Sequence, residues 1–138
     1  MTYALDTNIV SYMLREDRNK EVVKRFRAEV KQGHGYVIPP LCYYEITWWL
    51  LRKKATAQMH SFQELYKNAF IKVSMNEADF HKAAQIRADL DERGQPIGKQ
   101  DNDIFIAAYC INHDFVLVTN NLDDFKRIDG LKLVNWKE

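Results

Sequence analysis

Four short segments of this chain place acids or amides where a strand would hand over to a helix or a turn. The first is Leu5-Asp6-Thr7-Asn8. Asp, Thr and Asn all accept hydrogen bonds from the first amides of a helix, so a capping role is the plain explanation for Asp6. Thr7 and Asn8 can also fill that role, which leaves Asp6 freer than usual. The second is Glu45, the one charge in the apolar run 41–51. Its neighbours at helical spacing are Leu41, Cys42, Trp48 and Trp49, none of them a cation. A carboxylate among aromatics is costly unless it is paired, protonated or bound to a cation. A distant ion pair or a wet helix face would also account for it. The third is Asp103, which shares a helix face with Ile106, Ala107 and Cys110 and so should aim inward. Asp101 stands at the tip of that helix, as a cap or as an outer ligand. Acids are commonplace there because the helix dipole favours them. The fourth is Thr119-Asn120-Asn121-Leu122-Asp123-Asp124. A polar cluster after a buried strand usually makes a turn, but Asn121 can still offer an oxygen to a metal or orient a ligated water.

Each segment alone has an ordinary explanation. The set has a chemical one. Several carboxylates gathered at one rim repel each other at neutral pH. Oxygen donors without His or Cys select Mg²⁺, with Mn²⁺ as a substitute. Mg²⁺ keeps several waters and is commonly completed by substrate phosphate, so an incomplete protein cage suits phosphodiester hydrolysis.

The elements that must bring these residues together follow from periodicity. Strands are expected at 3–5, 36–38, 70–73, 115–119 and 131–134. Helices are expected at 8–14, 20–30, 41–54, 57–68, 77–92 and 102–112, with a short turn at 122–125. Gly33 and Gly35 stop the second helix, Pro39-Pro40 launches the third, and Asn76 caps the fifth. A charged turn follows residue 14, and the run 93–98 breaks the pattern. Strands alternating with helices predict an α/β fold, a central, mainly parallel sheet between two helical layers. Such sheets bind ligands beyond the carboxyl ends of their strands.

At 138 residues the chain is expected to be a single domain over 1–138 with a core that needs no staples. Cys42 and Cys110, far apart in apolar stretches, fit buried thiols of a reducing, cytoplasmic setting. The four histidines share no ligand spacing, which argues against a zinc enzyme. No apolar run reaches membrane-spanning length, and the first residues lack a signal-peptide pattern. A net charge of +1 argues against a general nucleic-acid coat. The cations are uneven, however. Seven fall between Arg15 and Lys31, and Arg52-Lys53-Lys54 forms a second cluster. Most suit solvated helix faces, and some are placed to meet phosphates.

Taken in order, Leu5-Asp6-Thr7-Asn8, Pro39-Pro40 with Glu45, the run 103–108 and Val118-Thr119-Asn120-Asn121 with Phe125 resemble the motif series of PIN-domain ribonucleases. Order, spacing and length are similar to the VapC-type toxins over essentially the whole chain. The resemblance implies a PIN-like three-layer fold and a Mg²⁺-dependent endoribonuclease. It further implies a homodimer, inhibited by a small VapB-like antitoxin, with transfer or ribosomal RNA as substrate class. The acidic triad carries over to Asp6, Glu45 and Asp103 as catalytic and metal-holding residues, with Asn8, Asp101, Thr119 and Asn121 as an outer ring. Many members have an acid where this chain has Asn121, which puts a fully acidic second metal site in doubt.

Two alternatives stand beside this. A haloacid-dehalogenase-like phosphohydrolase would use Asp6 as nucleophile, but it wants an acid two positions on, where this chain has Asn8. A PIN-like module that binds RNA or protein without cutting would lack an acid. Tyr43, Tyr44, Trp48, Trp49, Phe62 and Tyr66 are many aromatics for one small core. Either all are core, or some form a dimer face or an antitoxin groove.

Overall fold

Tyr3, Ala4 and Leu5 are all buried, as a strand covered on both faces requires. In the computed structural model, which describes residues 1–15, 20–95 and 101–136, they form the centre of the sheet. The element order is β1 (Thr2–Leu5), α1 (Thr7–Leu14), α2 (Lys20–Lys31), β2 (Gly35–Val37), α3 (Pro40–Arg52), α4 (Thr56–Ala69), α5 (Glu77–Glu92), α6 (Asn102–His113), β3 (Val116–Val118), α7 (Leu122–Phe125) and β4 (Lys132–Val134). The strands lie in the order β2-β1-β3-β4 and every pairing is parallel. Helices flank the sheet in a three-layer α/β/α sandwich. The chain runs outward from β1 to β2, then crosses back over β1 to β3 and outward again to β4. This reversal puts the carboxyl ends of β1 and β3 side by side at the switch point, where open α/β sheets leave a crevice.

Most helices start and stop where their end residues dictate. Pro40 opens α3, its missing N–H being one of the donors that a helix start leaves unused. Gly33, with φ +76°, takes the left-handed turn that follows α2. Asn76 and Asp79 cap α5 reciprocally, at 3.0 and 3.1 Å. Helix α6 buries Ile104, Ile106, Ala107, Ala108, Tyr109 and Cys110. It packs on α5 and α3, which fixes the direction of its first turn. Cys42 and Cys110 are buried free thiols.

The strand expected at 70–73 does not form. Ile71 makes a single parallel bridge to Val37, and its N–H donates to the Tyr36 carbonyl at 2.8 Å. The Lys72 ammonium turns back to donate to the carbonyls of Tyr66, at 2.7 Å, and Phe70, at 3.0 Å, closing the end of α4. Farther on, the Val73 carbonyl accepts from the Tyr109 hydroxyl at 2.6 Å. Side chains take the groups that a ladder would need, so the apolar alternation is overridden. The charged turn expected at 16–19, the breaker residues 96–98, and Lys99 and Gln100 ahead of the third acidic segment lie outside the described residues.

Candidate active site

Asp6 follows directly on β1. Its own N–H donates to the Val118 carbonyl at 3.0 Å, extending the β1–β3 ladder by one rung. Its carboxylate faces three donors. Oδ1 accepts from the Thr7 N–H at 2.8 Å, and the Cys42 thiol approaches the same oxygen at 3.6 Å. Oδ2 accepts from the Thr119 hydroxyl at 2.8 Å. Asp6 is therefore the cap of α1, as its residue type suggested, and neither Thr7 nor Asn8 takes that role from it. Asn8 instead points outward and reaches Asn120, whose amide donates to the Tyr12 hydroxyl at 2.8 Å. Because the residue is buried, desolvation pushes the Asp6 carboxyl above its ordinary range, against the opposing pull of Thr119, Thr7 and Cys42. A carboxylate has about four lone-pair positions, so these donors leave room for a cation.

Glu45 reaches the same region from α3, and Asp103 from the first turn of α6. Glu45 is half-buried. Burial raises its pKa first, followed by repulsion from Asp6 and Asp103. Asp103 is pushed up to about 6, by burial and then by repulsion from Asp6 and Asp124. Asp6 thus acts on both other acids, and Asp103 acts on Glu45, which brings the three into one electrostatic neighbourhood. Among the described residues none of the three has a Lys, Arg or His ion-pair partner. No group of three or more carboxylate, imidazole or thiol side chains among them stands close enough together to hold a metal ion by itself. Oxygen donors, repulsion without a protein counter-ion and an open coordination sphere fit a hydrated divalent cation of the Mg²⁺ kind.

The surrounding polar residues divide into two groups. Thr119 is fully buried, and its hydroxyl donates to Asp6 while accepting from the Asn121 N–H at 3.0 Å. The Asn121 amide in turn donates to the Asp124 carboxylate at 3.0 Å. Asp124 thus joins the cluster as a fourth acid that the sequence reading passed over as part of a turn. Its signal was the three-residue spacing from Asn121, which one turn of α7 converts into a contact. Asp101 goes elsewhere. Although it stands at the start of α6, its side chain makes no capping bond and pairs with Arg87 of α5.

Beside the acids, α1 and α3 frame a cleft of about 600 Å³ whose walls include Asn8, Glu45 and Trp48. Of the six aromatics singled out earlier, Phe62 is core and Trp49 and Tyr66 are partly covered. Tyr44 and Trp48 stay 64% and 50% exposed, so the core cannot account for all of them.

The PIN domain family model matches residues 3–131. Ribonuclease VapC2 of Rickettsia felis is 26% identical over 136 residues, covering 99% of this chain and 98% of its own length. The tRNA(fMet)-specific endonuclease VapC of Shigella flexneri is 28% identical over 142 residues, again covering 99% and 98%. Among solved structures, a chain of the crystal structure of VapBC2 from Rickettsia felis bound to a promoter DNA fragment superposes with a TM-score of 0.83. That match is 26% identical and covers 99% of both chains. The family match is to PIN domains rather than to haloacid dehalogenases, and Asn8 supplies an amide where that chemistry needs an acid. With the sheet order, the strand-end acids and the family match in agreement, this chain belongs to the PIN-domain family and is similar along its whole length to the VapC ribonucleases.

Proposed function

We propose that this chain is a metal-dependent endoribonuclease and the toxin of a VapBC-like toxin–antitoxin pair. The observation that carries the reading is the unneutralised group of Asp6, Glu45 and Asp103 at the β1/β3 switch point, where Asp6 raises the charging cost of both other acids and Asp103 raises that of Glu45. Asp6 and Asp103 would hold Mg²⁺, or Mn²⁺ in its place, directly or through water, and Glu45 would complete or orient that shell. When bound, the ion supplies an acidified water and neutralises the phosphate that is attacked. The chain's own residues do the positioning. Thr119 fixes the Asp6 carboxylate from one side while the Thr7 amide fixes it from the other. Asn121 donates to Asp124, whose negative charge adds to the repulsion on Asp103 that a cation would relieve. Asn8 and Asn120 line the approach with amide donors and acceptors suited to ribose and phosphate oxygens.

The substrate class is structured RNA, transfer or ribosomal, and the Shigella relative carries transfer RNA in its name. A VapB-like antitoxin is the protein partner that the likeness supports, since the solved relatives are VapBC complexes, and a second copy of this chain is proposed beside it. The test compares wild type with Asp6→Asn on transfer and ribosomal RNA in Mg²⁺ and in EDTA. Cleavage by the wild type in Mg²⁺ alone is expected. Cleavage that persists in EDTA, or equal cleavage by the variant, would refute the proposal.

A further inference from the structure

Two helices of this chain start on a side chain in capping geometry. Asp6 ahead of α1 has ψ 160° and Asn76 ahead of α5 has ψ 178°, and each accepts from an amide of the turn that follows. Asp101 holds the same place ahead of α6 without taking the same role. Its backbone is already helical, with φ −80° and ψ −1°, and its side chain makes no capping bond. An aspartate there ordinarily turns to the second or third amide of its helix, here that of Asp103 or Ile104. The carboxylate goes instead to α5, where it pairs with the Arg87 guanidinium. Asp91, one turn further along α5, stands 3.7 Å from the same guanidinium.

What this diverts is a negative charge two residues from a proposed cation ligand. Asp6 and Asp124 are charges that weigh on Asp103, both from other elements, whereas Asp101, at the start of its own helix, is turned to a cation. The Arg87–Asp101 pair is about half in solvent, so its contribution is small and close in size to the cap bond it prevents. Two small contributions of similar size leave the Asp101 carboxylate poised between them. With Arg87 removed, the cap wins and the carboxylate swings to the first turn of α6, beside Asp103. The two helices stay fastened at their other end, where Asn112 donates to the Ala78 carbonyl at 3.0 Å and to Asp79 at 2.9 Å. The event is therefore confined to the tip of α6. A further carboxylate there would tighten cation binding, because ligand charge sets affinity, and would fill a position that hydrolysis needs for water or phosphate.

We propose that Arg87 is a positioning residue of the acid site: by pairing with Asp101 it holds a surplus carboxylate away from Asp103 and keeps part of the cation's shell open to water and phosphate. Arg87 touches neither RNA nor metal in this role and acts only through Asp101. The inference rests on the nuclease reading of Asp6, Glu45 and Asp103, and deepens it by naming what holds a further acid out of their group.

The test uses the full chain carrying Arg87→Met, which keeps the apolar stem and removes the charge. In EDTA, hydrogen exchange at the Asp103 or Ile104 amide should slow by about fivefold, the factor that one cap bond supplies. Mn²⁺ binding, followed by electron paramagnetic resonance, should tighten by about threefold or more, because ligand charge has been added. In saturating Mg²⁺, kcat for RNA cleavage should fall by about tenfold while KM stays within about twofold of wild type. Arg87→Lys keeps an ion pair and should recover most of kcat. Arg87→Met/Asp101→Ala has no carboxylate left to swing, so it should recover kcat and lose both the extra protection and the tighter Mn²⁺ binding. A merely structural Arg87 would leave that double variant as slow as Arg87→Met or slower, and this result overturns the proposal. So does Arg87→Met with unchanged exchange at both amides or with weakened Mn²⁺ binding. The expected change in exchange, in a chain whose wild type never cuts RNA in Mg²⁺, would uphold the grip of Arg87 on Asp101 and sink the nuclease reading, so the two failures are distinguishable.

Discussion

Replacing Asp103 by Asn should make the metal-free protein more stable, which is an unusual outcome for a residue at a functional site. Moving a carboxyl from its ordinary 3.8 to about 6 corresponds to about 3 kcal/mol between its charged and neutral forms. Asp103 is only half-buried, so solvent screening reduces this to about 1.5 kcal/mol. Its place in the first turn of α6 acts in the opposite sense, because the helix dipole favours a negative charge there by about 0.3–1 kcal/mol. The net gain for Asp103→Asn at pH 7.5 is about 1 kcal/mol, or about 3 °C in Tm for a chain of this length. The sign follows from proton binding. Between 3.8 and about 6 the folded chain holds a proton that the unfolded chain has released, so wild-type stability rises as pH falls through that window. Asparagine is neutral throughout, so the advantage of the variant should be full above pH 7 and gone near pH 4. Thermal melts in EDTA at pH 7.5 and pH 4.5 measure both ends. Addition of Mg²⁺ should reverse the order, since the wild type keeps the ligand that links metal binding to folding. A variant less stable than wild type in EDTA at pH 7.5 would mean that a counter-charge already neutralises Asp103, and the argument for a cation would fail.

Three further outcomes follow from particular contacts. Thr119→Val keeps the shape of a fully buried side chain but removes one donor from Asp6. It should cost about 1–3 kcal/mol in denaturant unfolding and lower RNA cleavage more than it lowers RNA binding. Asn76→Ala breaks the reciprocal cap of α5 and should cost about 1 kcal/mol, with cleavage unchanged, by melts and activity on the same preparation. Cys42 and Cys110 are buried, and burial raises both thiols, so neither should react with a thiol reagent at pH 8 until the chain unfolds. Rapid labelling of the folded chain would contradict their placement.

The alternation of strands and helices was readable because the signals agree at several levels. Helix α6 is apolar on almost every face, and β3 is three consecutive buried residues, so no other packing suits them. Asn76 announced its helix through a local cap, and Pro40 announced another. The segment 70–73 was misread because hydrophobic alternation cannot register a lysine that folds back onto a helix end, or a tyrosine from 36 residues away that takes a carbonyl. The cap at Asp6 was its plain reading, but Thr7 and Asn8 looked able to share that role because capping competence is a property of residue type. Which side chain caps is decided by backbone direction, and β1 delivers Asp6 with extended geometry right at the first amide. Asp124 was overlooked because its proximity to Asp103 exists only once α7 and α6 meet at the switch point. Asp101 drew attention by sequence position alone, and α5 supplied the arginine that claims it.

The double employment of Asp6 bears on how such a chain decays. An asparagine there would retain an oxygen for the Thr7 amide and present an NH₂ group that the Thr119 oxygen can accept, so architecture would outlive chemistry. Under the proposed toxin–antitoxin pairing, one base change would thus leave a harmless copy that still occupies the antidote. Such a copy would release active siblings from inhibition, so a disarmed duplicate beside a working gene would itself be a hazard to the cell.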